Sequence, residues 1–134
     1  WNIFCDPEAA RIVYSSGINL YVVGLNVTMK VKLEKENREK LKKVDGERFS
    51  LIYTMMEKWF KHYEFSIPVM HDPLAISTLF IDVCKFEKEN IFVGLEGAER
   101  AVTLIDKRGL VINYAKEVDV DAFFKYFLST VFKI

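Results

Sequence analysis

Residues 18–23 read Ile-Asn-Leu-Tyr-Val-Val, are followed by Gly-Leu-Asn-Val-Thr at residues 24–28, and together decide the fold class. The first part is short, almost wholly apolar and rich in β-branched and aromatic residues, which predicts a strand covered on both faces. Strands of this kind are typical of parallel sheets, because helices pack against both sides of such sheets. We therefore expect an α/β fold in which residues 24–28 lead away from the carboxyl end of this strand.

Helix signals lie on both sides of that strand. Asp6-Pro7-Glu8 predicts the start of a helix, since Asp caps well and Pro suits the first turn. Gly17 is expected to end this helix. Residues 31–44 are dense in Lys and Glu, which indicates a solvated helix. Between residues 49 and 63 apolar residues recur at steps of three and four, which predicts an amphipathic helix. Asp72-Pro73 then repeats the helix-start signal of Asp6-Pro7.

The last third of the chain changes to a β pattern. Residues 90–95, 101–105 and 110–114 predict three short strands separated by Gly-containing turns. Residues 120–132 predict a closing helix with its phenylalanines on the buried side. The short turns indicate some antiparallel pairing within the α/β fold.

Composition limits the classes of partner. The chain has 134 residues, the length of one domain, and its 19 basic and 19 acidic residues cancel. Neutrality gives no electrostatic reason to expect nucleic acid or an anionic membrane as a partner, and it leaves self-association unopposed. No apolar run approaches the roughly 18 residues of a membrane span and no secretory signal pattern is present, so we expect a cytoplasmic protein. Cys5 and Cys84 are isolated, which argues against a zinc or redox pair.

The pair His71-Asp72 is the strongest candidate for chemistry. An imidazole just outside a helix can serve as an acid or base near neutral pH, and a carboxylate beside it can bind a metal. The alternative for Asp72 is an N-cap without chemistry, the role expected of Asp6. His62, the other histidine, is expected at the surface of the amphipathic helix. Glycine-rich phosphate loops, nucleophile elbows and His-Glu-x-x-His pairs do not occur in the sequence.

Three blocks of the chain resemble the second half of the inosine–uridine-preferring nucleoside hydrolases. Residues 2–10, Asn-Ile-Phe-Cys-Asp-Pro-Glu-Ala-Ala, are similar to the family's Glu-Phe-Asn and Asp-Pro-Glu-Ala-Ala signatures. Residues 22–28 are similar to its Val-Gly-Leu-Asp-Val-Thr block, with Asn26 in place of the family's Asp. Residues 71–75, His-Asp-Pro-Leu-Ala, resemble its late His-Asp-Pro block. Residues 102–106 and 117–119 resemble, more weakly, the family's closing strands and last helix, so the resemblance covers nearly the whole chain. The three stronger blocks occur in the family's order, which makes the resemblance specific.

The resemblance implies an open, mostly parallel sheet flanked by helices, with some antiparallel strands near the C-terminus. It also implies an enzyme that hydrolyses the N-glycosidic bond of ribonucleosides with the help of a bound calcium ion. By the same resemblance, His71 would protonate or steer the departing base and Asp72 would be a calcium ligand. Asn2 would bind the ribose hydroxyls, and Phe60 and Tyr63 are the aromatic candidates for contact with the nucleobase.

The family's opening Asp-x-Asp-Pro-Gly-x-Asp-Asp block has no counterpart in this chain. That block supplies the remaining calcium carboxylates and the water-activating base, and calcium takes about six to eight oxygen ligands. We therefore expect residues 1–134 to form a single partial domain, either a natural truncation or a cut product. Such a domain would be inactive and free of calcium unless joined to an N-terminal half.

An alternative belongs to another class of protein. A truncated α/β module without catalysis would relieve its exposed sheet edges by self-association, as a homo-oligomer. The sequence leaves open whether the parent enzyme prefers purine or pyrimidine nucleosides.

Overall fold

A computed structural model describes residues 1–63 and 67–134. In these ranges the chain forms helices α1–α7 and strands β1–β4, with a 3₁₀ turn at Gly97–Glu99 and a π-helical turn at Leu128–Phe132. The helices are α1 Asn2–Cys5, α2 Pro7–Tyr14, α3 Leu25–Thr28, α4 Lys35–Lys42, α5 Glu47–His62, α6 His71–Ser77 and α7 Val120–Phe127. The strands are β1 Tyr21–Val22, β2 Cys84–Val93, β3 Thr103–Ile105 and β4 Leu110–Val118.

The chain divides into two compact units. The sheet unit comprises Trp1–Gly24 and Lys85–Glu117, and the helical unit comprises Leu25–Cys84 and Val118–Ile134. Each unit is therefore assembled from two separate segments of the chain. That residues 1–134 constitute one partial domain stays a prediction.

Strands in the sheet unit are ordered β1-β4-β2-β3. β1 runs parallel to β4, with Tyr21 opposite Asn113, whereas β2 runs antiparallel to β3, with Ile91 opposite Ile105. Parallel pairing requires a long crossover, while antiparallel neighbours need only a short turn. The predicted α/β class, with antiparallel pairing late in the chain, is confirmed.

The first strand is shorter than predicted. It covers Tyr21–Val22 rather than residues 18–23, and it lies at the end of the strand order. Its described hydrogen-bond neighbour is β4, and the backbone N–H of Asn113 donates to the carbonyl of Leu20 at 2.9 Å. Tyr21 is 56% exposed. The prediction of a strand covered on both faces is therefore wrong for this residue.

Within the sheet unit, helix α2 packs on the strands through Arg11 and Tyr14. The Arg11 Nε donates to the carbonyl of Val93 at 2.6 Å, and its guanidinium lies 3.7 Å from the centroid of the Phe92 ring. Such stacking combines a cation–π attraction with a hydrogen bond to a strand end. Burial raises the pKa of Tyr14 to about 12, with a smaller contribution from Tyr114.

In the helical unit the segment before α4 is extended, so the helix predicted over residues 31–44 covers only Lys35–Lys42. The backbone of Lys32 bridges antiparallel to Val69, and the N–H of Leu33 donates to the carbonyl of Pro68 at 2.8 Å. Val31 and Leu33 are buried. Their alternation around exposed Lys32 has the period of a strand, and burial of both apolar side chains overrides the local helix propensity.

The core of the helical unit forms where α6 contacts both α3 and α7. Asp119 caps α7 by accepting from the N–H of Ala122 at 2.9 Å, and Phe123 in its first turns is fully buried. The buried apolar residues of this unit are Val27, Val31, Leu33, Leu41, Leu74, Val83, Phe123, Phe124, Leu128 and Phe132.

The long helix predicted between residues 49 and 63 is confirmed as α5, Glu47–His62. None of its residues is fully buried, so the predicted apolar face is only half covered. Leu51 and Met55 are 60% and 62% exposed, while Phe49 contacts the Phe132 ring at 5.3 Å. No helix in the described part of the chain combines the length and the apolar character that crossing a membrane requires.

Candidate active site

His71 opens helix α6, and this placement differs from the sequence prediction. The residue before it, Met70, occupies the cap position without a side-chain cap bond, and its carbonyl accepts from the N–H of Leu74 at 3.0 Å. Asp72 therefore lies in the first turn of α6, and the N-cap interpretation of Asp72 is wrong. The reason is tertiary. The N–H of Met70 donates to the carbonyl of Val31 at 2.8 Å, and the helix begins at His71, two residues before the Pro73 start that an Asp72 cap implies.

The His71 ring is held by one hydrogen bond. Its Nδ1 lies 2.8 Å from the hydroxyl oxygen of Thr28, and the Thr28 side chain is buried, with 3% of the residue exposed. His71 itself is exposed. In the described part of the chain the ring makes no second hydrogen bond, so Nε2 remains available to a ligand.

The two helices that carry this pair are in contact, and each also carries a buried apolar residue. Val27, the residue before Thr28 in α3, and Leu74 in α6 are both fully buried. Packing of this kind restricts side-chain rotamers and backbone position, so it fixes the separation of the two helix ends. The sequence prediction did not include Thr28, although it is the last residue of the Val-Gly-Leu-Asn-Val-Thr block that resembles the family.

Asp72 is exposed beside His71. Within residues 1–63 and 67–134 its carboxylate takes part in no hydrogen bond or ion pair. A carboxylate not engaged in capping or in a salt bridge keeps both oxygens free for a cation or a polar ligand.

Phe60 and Tyr63 lie in and just after the last turn of α5, around Trp59. The Trp59 ring is 5.7 Å from Phe60 and 5.0 Å from Tyr63, measured between centroids. The Arg38 guanidinium lies 4.0 Å from the Phe60 centroid and covers that ring, whereas Tyr63 is 50% exposed. Among the described residues no hydrogen bond or ring contact joins this pair to His71.

Asn2 is the first residue of α1 and belongs to the sheet unit. Its backbone carbonyl accepts from the N–H of Asp6 at 3.2 Å, and its side chain is exposed. The carboxamide, with one acceptor and two donors, is suited to bind vicinal hydroxyls.

Among the described residues two carboxyl groups have lowered pKa values, and both belong to the sheet unit. Hydrogen bonds from Arg100 lower the pKa of Glu8, at a distance of 2.8 Å, and hydrogen bonds from Arg108 lower the pKa of Asp106, at 2.9 Å. Arg108 also pairs with Glu99. These side chains form surface ion pairs at turns, so the shifts do not indicate a second acid–base centre.

The described residues do not form a metal centre by themselves. They contain no group of three or more His, Cys, Asp or Glu side chains placed to hold an ion. Because calcium takes about six to eight oxygen ligands, Asp72 supplies too few oxygens to fit that ion alone.

Comparison with known proteins places this chain in a family. The profile of the inosine-uridine preferring nucleoside hydrolases matches residues 1–125. The chain is 31% identical over 117 residues to probable uridine nucleosidase 2 of Arabidopsis thaliana, covering 84% of this chain and 34% of that protein. It is 33% identical over 125 residues to the pyrimidine-specific ribonucleoside hydrolase RihA of Photobacterium profundum, covering 84% of this chain and 39% of that protein. The chain thus spans between a third and two fifths of the length of these relatives.

A solved structure extends the similarity to the fold. The inosine-uridine preferring nucleoside hydrolase of Bacillus anthracis superposes with a TM-score of 0.77 and 26% identity, covering 100% of this chain and 43% of that one. The profile match extends over most of the chain and includes Asn2, Phe60, Tyr63, His71 and Asp72. This chain belongs to the inosine-uridine preferring nucleoside hydrolase family.

Proposed function

We propose that this chain is part of a ribonucleoside hydrolase, which uses water to cleave the N-glycosidic bond and release a free base and ribose. The observation that supports this most directly lies at the start of α6. There an exposed His71, anchored through Nδ1, stands beside Asp72, whose carboxylate has no partner among the described residues. A proton donor next to a free carboxylate is a combination that glycosidic bond cleavage can use.

In this proposal His71 acts on the departing base. Cleavage of the bond to the anomeric carbon leaves negative charge on the base, and a positioned N–H donor stabilises that charge by hydrogen bonding or proton transfer. Since Nδ1 is engaged with Thr28, Nε2 is the ring atom available to the base.

Asp72 contributes one carboxylate to a calcium site whose other ligands lie outside this chain. Calcium binding by this chain alone is not proposed, because its described residues do not fit the ion. The proposal therefore requires a second polypeptide segment that carries the acidic block typical of the family.

The three substrate-binding candidates differ in how well they are presented. Tyr63 exposes half of its surface and offers a free ring to a base. Phe60 has Arg38 stacked on it, so it supports Tyr63 and Trp59 better than it contacts a ligand. The exposed carboxamide of Asn2 is proposed to bind ribose hydroxyls.

Uridine is the substrate to examine first. The relative from Arabidopsis thaliana is named a probable uridine nucleosidase, and the relative from Photobacterium profundum is named pyrimidine-specific. We propose that the complete enzyme accepts ribonucleosides, with inosine and cytidine as the comparison substrates.

A chimera tests the proposal. In it, residues 1–134 replace the matching segment of the Photobacterium profundum enzyme, and release of uracil from uridine is measured with and without added calcium. Activity is expected, and His71→Ala is expected to lower kcat by about 100-fold or more, the usual contribution of a general acid. His62→Ala is the matched control, since His62 is the other histidine of the chain and is exposed on α5.

Two results would contradict the proposal. One is a chimera that folds and binds calcium but releases no base from any of the three nucleosides. The other is an active chimera in which His71→Ala and His62→Ala have equal kcat values.

A second candidate function is self-association through the open edge of the sheet. Exposed Tyr21 in β1 favours it, because an edge strand presents unpaired backbone groups next to apolar side chains. Sedimentation velocity of the chain at several concentrations should then detect a homo-oligomer, and Tyr21→Lys should shift it towards monomer. A wild-type chain that stays monomeric at every concentration would exclude this function.

A further inference from the structure

We propose that Thr28 is a positioning residue for His71, and that its hydroxyl holds the imidazole in the tautomer with the proton on Nε2. The inference rests on the proposed function only for its effect on catalysis. The tautomer itself follows from the contact between Thr28 and His71 and can be measured without any substrate.

The direction of the hydrogen bond follows from burial. Only 3% of Thr28 is exposed, and among the described residues the sole hydrogen-bond partner of its hydroxyl is Nδ1 of His71, at 2.8 Å. If the hydroxyl instead accepted a hydrogen bond from Nδ1–H, its own hydrogen would be buried without an acceptor among the described residues, which costs about 1–3 kcal/mol. The hydroxyl therefore donates to Nδ1, and a neutral ring carries its proton on Nε2.

Other hydroxyls on helices of this protein bond to their own backbone. The Ser77 hydroxyl donates to the carbonyl of Pro73 at 2.7 Å, and the Thr54 hydroxyl donates to the carbonyl of Ser50 at 2.8 Å. Both are the usual bonds to the residue four positions earlier. The Thr28 hydroxyl instead bonds to a side chain that lies 43 residues away in the sequence.

The backbone enforces this distance. Thr28 precedes the extended segment whose Val31 carbonyl accepts from the N–H of Met70, the residue directly before His71. Two backbone hydrogen bonds of 2.8 Å, from Met70 to Val31 and from Leu33 to Pro68, join the segments that carry the two side chains. The pair is thus positioned by hydrogen-bonded main chain, and the exposed imidazole needs only one rotamer to complete it.

In the neutral ring, this hydrogen bond makes the exposed nitrogen Nε2 a donor. A departing nucleobase presents nitrogen or oxygen acceptors, which an Nε2–H group can bind as the glycosidic bond breaks. The opposite tautomer would present a lone pair to the same acceptors and would repel them.

The tautomer can be read directly in the 134-residue chain. With ¹⁵N-labelled histidine and His62→Gln, one ring remains, and long-range ¹H–¹⁵N spectra at about pH 8.5, where an ordinary histidine is neutral, distinguish the protonated nitrogen. We expect Nε2 protonated and Nδ1 bare in the wild type and in Thr28→Ser. Thr28→Val, which lacks the hydroxyl, should give averaged signals of both tautomers.

Kinetics in the chimera separate positioning from packing. Thr28→Val should lower kcat for uridine by about 10- to 100-fold with KM little changed, as expected when a reacting group loses its orientation. Thr28→Ser should restore most of the rate. Combining Thr28→Val with His71→Ala should cost no more than His71→Ala alone, because Thr28 acts through the imidazole.

Each outcome bears on one proposal. A bare Nε2 in the wild-type spectrum, or identical spectra for the wild type and Thr28→Val, would overturn the tautomer assignment. An equal loss of kcat from Thr28→Val with and without His71 would reduce Thr28 to a packing residue. A chimera without activity would count against the proposed function, and the spectra would still decide the tautomer; if Thr28→Val does not fold, Thr28→Ala takes its place.

Discussion

The chain contains the dipeptide Asp-Pro at the start of two helices, and the two copies behave differently. Asp6 caps α2 by accepting from the N–H of Ala9 at 2.9 Å, and Pro7 is the first residue of that helix. Asp72 lies inside α6, caps nothing, and keeps its carboxylate exposed. The same local signal thus has a structural role in one place and leaves a free functional group in the other.

Tertiary contacts account for the difference. At α6 the preceding residue, Met70, is already tied to Val31 through the backbone, and the ring of His71 is tied to Thr28. These bonds begin the helix one residue before Asp72. At α2 the residue before the proline is the cap itself, as the local rule predicts.

The largest expected effect is a difference in enzymatic activity between the Asp72 and Asp6 variants. In the chimera, Asp72→Ala should lower uridine hydrolysis by at least about 100-fold, since it removes a proposed metal ligand. Asp6→Ala should retain activity close to that of the parent, because its carboxylate is used by the backbone of α2. Steady-state assays at saturating calcium measure both variants, and an equal loss in the two would mean that Asp72 has no special role.

Substituting the residue that follows each proline should change the free energy of unfolding by different amounts. Leu74 is fully buried, so Leu74→Ala should lower the free energy of unfolding by about 2–5 kcal/mol. Glu8, the corresponding residue of α2, forms an exposed ion pair with Arg100, and Glu8→Ala should change stability far less. Urea unfolding at pH 7 gives both values, and a Leu74→Ala change as small as that of Glu8→Ala would show that α6 is not anchored by this side chain.

The last residues of the two helices should contribute differently to the stability of the chain at high pH. Burial raises the pKa of Tyr14, the last residue of α2, from 10.0 to about 12, whereas α6 ends at Ser77, which does not titrate. The unfolded chain loses the Tyr14 proton first, so the stability that this residue contributes is complete below pH 10 and lost as pH rises towards 12.

With allowance for partial solvent exposure of Tyr14, the loss amounts to about 1–2 kcal/mol. Tyr14→Phe should remove it, so the difference in unfolding free energy between wild type and variant should change between pH 9 and pH 11.5. A difference that stays constant over this range would contradict the assignment.

The smallest effect concerns capping itself. Asp6→Ala should destabilise the chain by about 0.5–2 kcal/mol, the usual cost of a lost N-cap. Asp72→Ala should stay within about 0.5 kcal/mol of the wild type, since its side chain makes no bond to the described backbone. Thermal unfolding of the two variants side by side measures this, and equal shifts would mean that Asp72 does cap α6 in solution.

Several elements could be predicted because their signals are local. The start of α2, the whole of α5 and the start of α7 follow from capping residues and from apolar spacing within a few turns. The beginning of α4 could not be predicted. Val31 and Leu33 are extended because they are buried and hydrogen-bonded to a segment more than thirty residues later. His71 and Asp72 were found by residue type and resemblance, while Thr28 was not, since nothing local marks its hydroxyl.

By itself the sequence determined the family and the α/β class, and it predicted the pair of residues most suited to the chemistry. Only the tertiary structure decided that α6 begins at His71, that Asp72 has no partner among the described residues, and that Thr28 holds the imidazole. The physical reason is range. Caps and periodicity act over three or four residues, whereas the bond between Thr28 and His71 joins positions 43 residues apart and exists only after the chain between them has folded.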